Sequence, residues 1–122
     1  MIMEALSDQP IHTYTRQQAI EDGILVDLSG NDAARQHWRH PMAATSAVWI
    51  AIASAIREEG CDLNGIIHDI SILAKLHMTG SGNEDIVYFI AKIGKATCKL
   101  KLHYGPGDNH EPVLTLMLDD ED

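Results

Sequence analysis

The sequence predicts an α+β fold: an antiparallel sheet of three to four strands with two long helices packed on one face, plus short N-terminal helices. Three observations predict it. Two apolar stretches of helical spacing sit side by side in the middle of the chain. Two strand-like stretches flank a Gly-Lys pair in the last third. Helices and strands are segregated instead of alternating, which disfavours a doubly wound sheet. The 122 residues suit one domain. We place it at 12–118, between a loose leader at 1–11 and an acidic tail at 119–122.

In chain order, Thr15 with Gln18 three residues on forms a capping box, so a short helix is predicted over 16–22. Gly23 stops it, being the residue that tolerates the left-handed conformation. Ile24 to Leu28 reads as a short strand. A second short helix is expected around 32–38, closed by Pro41. Thr45 or Ser46 is the next N-cap. The helix over 47–59 is apolar almost all round (Val48, Trp49, Ile50, Ile52, Ile56), the pattern of a central helix, and Gly60 ends it. Asp62 caps another, in which Leu63, Ile66, Ile67, Ile70, Leu73, Ala74 and His77 recur at helical spacing. Gly80 to Asn83 is a loop signal.

Strands at 85–93 and 96–104 flank Gly94-Lys95, which suits a two-residue type II′ turn. That turn sets the register. Val87, Phe89, Ala91 and Ile93 should face Leu102, Leu100, Cys98 and Ala96 on the core side. Ile86, Tyr88 and Ile90 should face His103, Lys101 and Lys99 on the other. A third strand at 112–118 starts with Pro112, which cannot donate to a ladder.

Charge and cysteine narrow the functions. Acidic residues outnumber basic ones 18 to 9, for a formal net charge of -9. This argues against direct nucleic-acid binding, where Lys and Arg must neutralise phosphate, and favours a basic protein partner. Two cysteines, Cys61 and Cys98, build no disulfide framework. The first ten residues show no secretory h-region, and the apolar stretch at 42–56 is too short to span a bilayer. A cytoplasmic protein with reduced thiols is expected.

Each candidate site has a plain structural alternative. His37 and His40, with Asp32 nearby, suggest a metal, but a third well-spaced ligand is missing. The alternative is a solvated loop with Trp38 tucked onto the core. His68, Asp69 and Ser71 suggest a triad, but adjacent helical residues diverge and no GxSxG elbow surrounds a serine. Cys61 lies at a helix start, where a thiol's pKa falls, yet no base is paired with it. Cys98 reads as a small buried hydrophobe. Gly105-Pro106-Gly107-Asp108 reads as a stiff turn. Its functional alternative is a loop site using Asp108, His110 and Glu111. No catalytic set, cofactor site or metal site is predicted.

Several stretches together resemble an uncharacterised family, a domain of unknown function found in small bacterial, plasmid and phage proteins. They are Tyr14-Thr15-Arg16-Gln17-Gln18-Ala19-Ile20-Glu21-Asp22-Gly23-Ile24-Leu25-Val26-Asp27, Pro41-Met42-Ala43-Ala44-Thr45-Ser46-Ala47-Val48-Trp49, and Gly105-Pro106-Gly107-Asp108 with Glu111-Pro112-Val113-Leu114-Thr115-Leu116-Met117-Leu118 and Glu121-Asp122. Residues 57–81 depart most from the family's pattern. The resemblance implies a compact domain and a setting on mobile elements, and it carries no catalytic residues to transfer.

The leading expectation is a non-enzymatic protein-binding domain of a mobile element. Its sharper form inhibits a host defence complex of the nucleic-acid-binding kind (anti-CRISPR or anti-restriction) through an acidic surface. The contact candidates are Glu58, Glu59, Asp62, Glu84, Asp85, Asp108, His110, Glu111, Asp119, Asp120, Glu121 and Asp122. A second expectation is a homodimer through Ile86, Tyr88 and Ile90, or through Val113 to Leu118 as an edge strand. A third is a small enzyme using the 105–111 loop and Asp27.

Overall fold

The computed structural model describes residues 14–78 and 85–121. The leader at 1–11, the loop at 80–83, Glu84 and Asp122 lie outside the described residues. The described residues form α1 (Arg16–Glu21), β1 (Leu25–Asp27), α2 (Asp32–His37), β2 (Met42–Thr45), α3 (Ser46–Glu59), α4 (Leu63–His77), β3 (Ile86–Ile93), β4 (Ala96–Pro106) and β5 (Pro112–Leu118).

The fold is α+β, and the sheet is larger than expected and mixed. Its five strands run in the order β1-β2-β5-β4-β3. β2 lies parallel to β5, with Met42 opposite Leu114 and Ala44 opposite Leu116; the other neighbours are antiparallel. No strand is expected from the sequence at Met42–Thr45. The segment is short and alanine-rich, with little intrinsic strand preference. All four of its residues are buried, so tertiary placement makes it a strand. β5 is therefore central, bonded on both sides, and the expected edge at Val113 to Leu118 does not exist.

Local chemistry is as read. Thr15 and Gln18 form the reciprocal capping box. Thr45 and Asp62 cap α3 and α4 as expected, and Asn31, which the sequence reading does not mark, caps α2. Gly60 ends α3 at φ 73°. The β3–β4 hairpin keeps the expected register from Ile86–His103 to Ile93–Ala96. Gly94 carries the positive φ of 64° that a type II′ turn needs at its first central position. A Cβ there would also meet Glu59 Oε1 at 2.5 Å.

The core forms where α3 and α4 cover one sheet face. Val48, Ile52 and Ala55 of α3 and Ile66, Ile67, Ile70 and Ala74 of α4 join Val87, Phe89, Leu100, Leu102, Leu114 and Leu116. One expectation fails: α3 is not buried all round, because Ile50 points to solvent at 69% exposure. Ala19, Ala43 and Val113 are buried apart from this cluster. Arg16 reaches Thr115, whose side chain points to the opposite sheet face from Leu114 and Leu116.

The acidic end is not a free tail throughout. Glu121 accepts from Thr45 Oγ1 and from the Leu118 amide, each at 2.8 Å. Lys101, itself buried, donates through Nζ to the Glu121 carbonyl. Asp119 and Asp120 remain exposed. We predict that Glu121→Ala lowers unfolding free energy by about 1–3 kcal/mol, since it strands a partly buried hydroxyl and amide. Asp120→Ala should change it by less than about 0.5 kcal/mol. Paired urea titrations check both.

Candidate functional site

Two polar assemblies stand out, one on each side of the fold. The first joins the ends of the chain. Asp108 sits in the turn after β4, and its carboxylate receives two amides of the first turn of α1: Arg16 N–H at 2.7 Å and Gln17 N–H at 3.0 Å. It thus adds a long-range cap to the local one from Thr15. Arg16 then donates through its guanidinium to Thr115 Oγ1 and the Leu114 carbonyl, both at 2.8 Å. Burial pulls the Arg16 pKa below the ordinary arginine value, and the charges of Asp27, Asp108 and Glu111 oppose that shift.

The Gly-Pro-Gly-Asp turn has a conformational explanation. The Gly107 amide donates to the Glu111 carbonyl at 2.6 Å, and the His110 amide to the Gly107 carbonyl at 3.1 Å. Glu111 folds back to accept the Asn109 amide at 2.8 Å. A Cβ at Gly107 would stand 2.6 Å from Glu111 Oε2. His110 takes φ 66°, a conformation that is uncommon for a residue with a Cβ. Asp108 and Glu111 are both committed to backbone amides, and His110 makes the turn. The three do not converge on one point: Asp108 ties the turn to α1, while Glu111 and His110 shape the turn itself.

The second assembly is the seam between α2 and α4. His37 Nε2 and His68 Nδ1 are 2.8 Å apart, and Lys75 Nζ lies 3.1 Å from His37 Nδ1. A lysine ammonium can only donate. One consistent assignment has Lys75 donating to His37 Nδ1 and His37 Nε2–H donating to His68 Nδ1, with His37 neutral. Burial first, then Lys75, then His68 lower the His37 pKa below its ordinary value. Beside them, Trp38 Nε1–H donates to Ser71 Oγ at 2.9 Å, and Lys75 stands 5.2 Å from the Trp38 ring centroid. Asn64 Oδ1 accepts from Asn31 Nδ2 at 2.9 Å.

This geometry separates the residues that sequence spacing had grouped. His37 faces His68, whereas His40 stacks on Tyr104 with ring centroids 5.6 Å apart. Among the described residues, no group of three or more His, Cys, Asp and Glu is placed to hold a metal. Ser71 is fully buried and accepts from Trp38, which gives it a structural role. Trp38 packs on the core as its plain alternative required. Cys61 and Cys98 are half-buried against the core, and burial pushes the Cys98 thiol up.

The candidate contact acids fall into two sets. Asp62 caps α4, and Glu59 accepts the Lys95 amide at 2.9 Å, pinning α3 to the hairpin turn. Asp108, Glu111 and Glu121 are likewise tied to amides or hydroxyls. Glu58, Asp85, Asp119 and Asp120 are exposed and bind no backbone amide through their side chains. The only ion pair among the described residues is Arg57–Glu58 at 3.3 Å, on exposed side chains. Tyr88 and Ile90 are each 57% exposed, while Ile86 is half-buried. Arg16, Thr115 and Lys75 were not singled out in the sequence. Ninety-two residues separate Arg16 from Asp108, and no local spacing links them.

No helix among the described residues is long and apolar enough to cross a membrane. Residues 6–122 match the model of a family described as a family of unknown function. This agrees with the resemblance at the level of an uncharacterised domain. No curated protein and no solved structure matches the chain.

Two outcomes follow from the geometry. Asp108→Ala should destabilise the fold by about 1 kcal/mol, with amide exchange rising first in α1. The His37 shift gives a signed pH effect. A histidine whose folded pKa lies below its unfolded one stabilises the fold above the ordinary value near 6.5. That stabilisation is lost as pH falls from there through the lowered folded value. Melting temperature should therefore fall more steeply below pH 6.5 in the wild type than in His37→Gln, as melts across pH 4.5–8 would read.

Proposed function

The chain belongs to DUF6573, a family of unknown function, and we propose that it is a non-enzymatic protein-binding domain. On this reading its acidic exterior engages a cationic surface of a partner protein. The sharpest form of the proposal is an inhibitor, encoded by a mobile element, that occupies the basic groove of a nucleic-acid-handling defence complex of CRISPR or restriction type.

The observation that carries the reading is how carboxylates and cations are distributed. Every described carboxylate residue except Glu121 is exposed, and only Glu58 is in an ion pair. Meanwhile the hairpin from Ile86 to Pro106 holds Lys92, Lys95, Lys99 and Lys101 and not one acid. The negative field is therefore concentrated on the rest of the molecule. Unpaired charge in high dielectric adds little to folding stability. It does steer association with an oppositely charged surface and suppress wrong partners. The chemical groups that would serve catalysis are spent on caps, turns and helix seams, which is why binding is preferred to an enzyme.

Purified chain mixed with CRISPR effector and restriction complexes should protect DNA from cleavage, with association slowing as salt rises. The combined variant Glu58→Lys, Asp85→Lys, Asp119→Lys and Asp120→Lys spares every capping residue. It should fold normally and associate roughly tenfold more slowly or worse. Absence of protection and of any retained complex at low salt, across such a panel, would discard the inhibitor.

A further inference from the structure

We propose that the pocket between the end of α2 and the start of β2 binds a phosphate monoester, its oxygens held by Arg35, Arg39 and His40. This does not rest on the protein partner inferred above.

The pocket encloses about 220 Å³ and is lined by Ser29, Arg35, Trp38, Arg39, His40 and Pro41 among others. Acidic residues outnumber Lys and Arg 18 to 9 in this chain. Yet this lining draws on two arginines and a histidine and on no acidic residue. Four larger cavities each include at least one aspartate. Among the described residues, neither the Arg35 nor the Arg39 guanidinium has an ion pair or a hydrogen bond. Two cations at the rim of one cavity repel, and an anion between them reverses the sign of the interaction.

The backbone around the pocket is fixed. Arg35 comes from the last turn of α2, and the chain leaves the helix at Trp38, which is extended (φ -130°, ψ 141°). Arg39 and His40 follow before Pro41 and β2. Trp38 is held through Nε1–H to Ser71 Oγ at 2.9 Å, and Ser29 Oγ accepts the Met42 amide at 3.2 Å. No bond restrains the two guanidiniums, so they can close on a ligand. His40 Nε2 lies 3.3 Å from the Tyr104 hydroxyl. With Tyr104 donating there, neutral His40 carries its proton on Nδ1, a donor without a partner among the described residues.

The donor set selects the ligand. A carboxylate has two oxygens and is satisfied by the fork of one guanidinium. Two guanidiniums and an imidazole N–H suit a group with three terminal oxygens and nearly double negative charge, a phosphate monoester. The pocket is smaller than the roughly 300–1,000 Å³ of a site for a drug-sized ligand. It takes the phosphoryl group and leaves the rest of the ester outside. Two effects oppose binding: α2 turns its negative end here, and the net charge of -9 repels anions. The first comes from a helix of only six residues. The second is screened within about 8 Å at physiological salt. Charge-assisted bonds from two guanidiniums outweigh both.

Titration of the full chain in chloride buffer, read by backbone-amide and arginine Nε–H NMR shifts, tests this. Inorganic phosphate should bind with a Kd on the order of 1 mM, with shifts centred on Arg35, Arg39 and His40. Glycerol 3-phosphate should bind at least as tightly. Equal affinities mean that the phosphoryl group alone is recognised, and a tighter ester means that the rest of the ligand adds contacts. Acetate should bind about tenfold more weakly or worse. Arg35→Gln and Arg39→Gln, at exposed positions, should each weaken phosphate about tenfold or more while their melts stay near wild type. Arg39→Lys keeps the charge without the fork and should recover part of that loss. Arg57→Gln, outside the pocket, should change nothing. No saturable shift up to about 20 mM phosphate overturns the proposal. So does acetate binding as tightly as phosphate, or phosphate affinity that survives the Arg35→Gln, Arg39→Gln double variant.

Discussion

The parallel pairing of β2 with β5 is the constraint on which the rest of the molecule depends. Parallel neighbours cannot be joined by a tight turn; the chain must leave the sheet and return. Here the return path is α3, α4 and the whole β3–β4 hairpin, which is most of the core. The pairing sets Met42, Ala43 and Ala44 opposite Leu114, Thr115 and Leu116, in a strand whose four residues are all buried. Ala43 and Ala44 are wholly inaccessible. Larger side chains at those positions would have to displace packed neighbours on one face or the other.

That central pair explains why the two ends of the sequence read together. Arg16 in α1 bonds the Leu114 carbonyl and Thr115, on β5, and Asp108 in the turn before β5 caps α1. Glu121, just after β5, bonds Thr45 at the end of β2. Stretches far apart in sequence, around Arg16, Thr45, Asp108 and Glu121, are thereby fastened to one another at β2 and β5.

Much was legible where the physics is local. Capping at Thr15, Thr45 and Asp62 depends on residues within a turn, and the hairpin register depends on Gly94-Lys95 alone. β2 was not legible, because alanine carries no strand signal and its burial comes from partners far away in sequence. For the same reason the sequence alone reads β5 as an edge. The candidate sites failed in the same direction. His37 and His40 are neighbours in sequence, but the chain leaves α2 between them and sends one to His68 and the other to Tyr104. Ser71 read as a possible nucleophile because nothing local reveals that Trp38, 33 residues away, donates to it. The acids were readable as a sum and not as a layout.

The layout ties surface to fold. An acid-free hairpin ends the sheet at one side, while the described carboxylates lie on the helices, the turns and β1. Steering by charge grows with the net field, so acids gathered away from a basic hairpin would favour the approach of a cationic partner in one orientation.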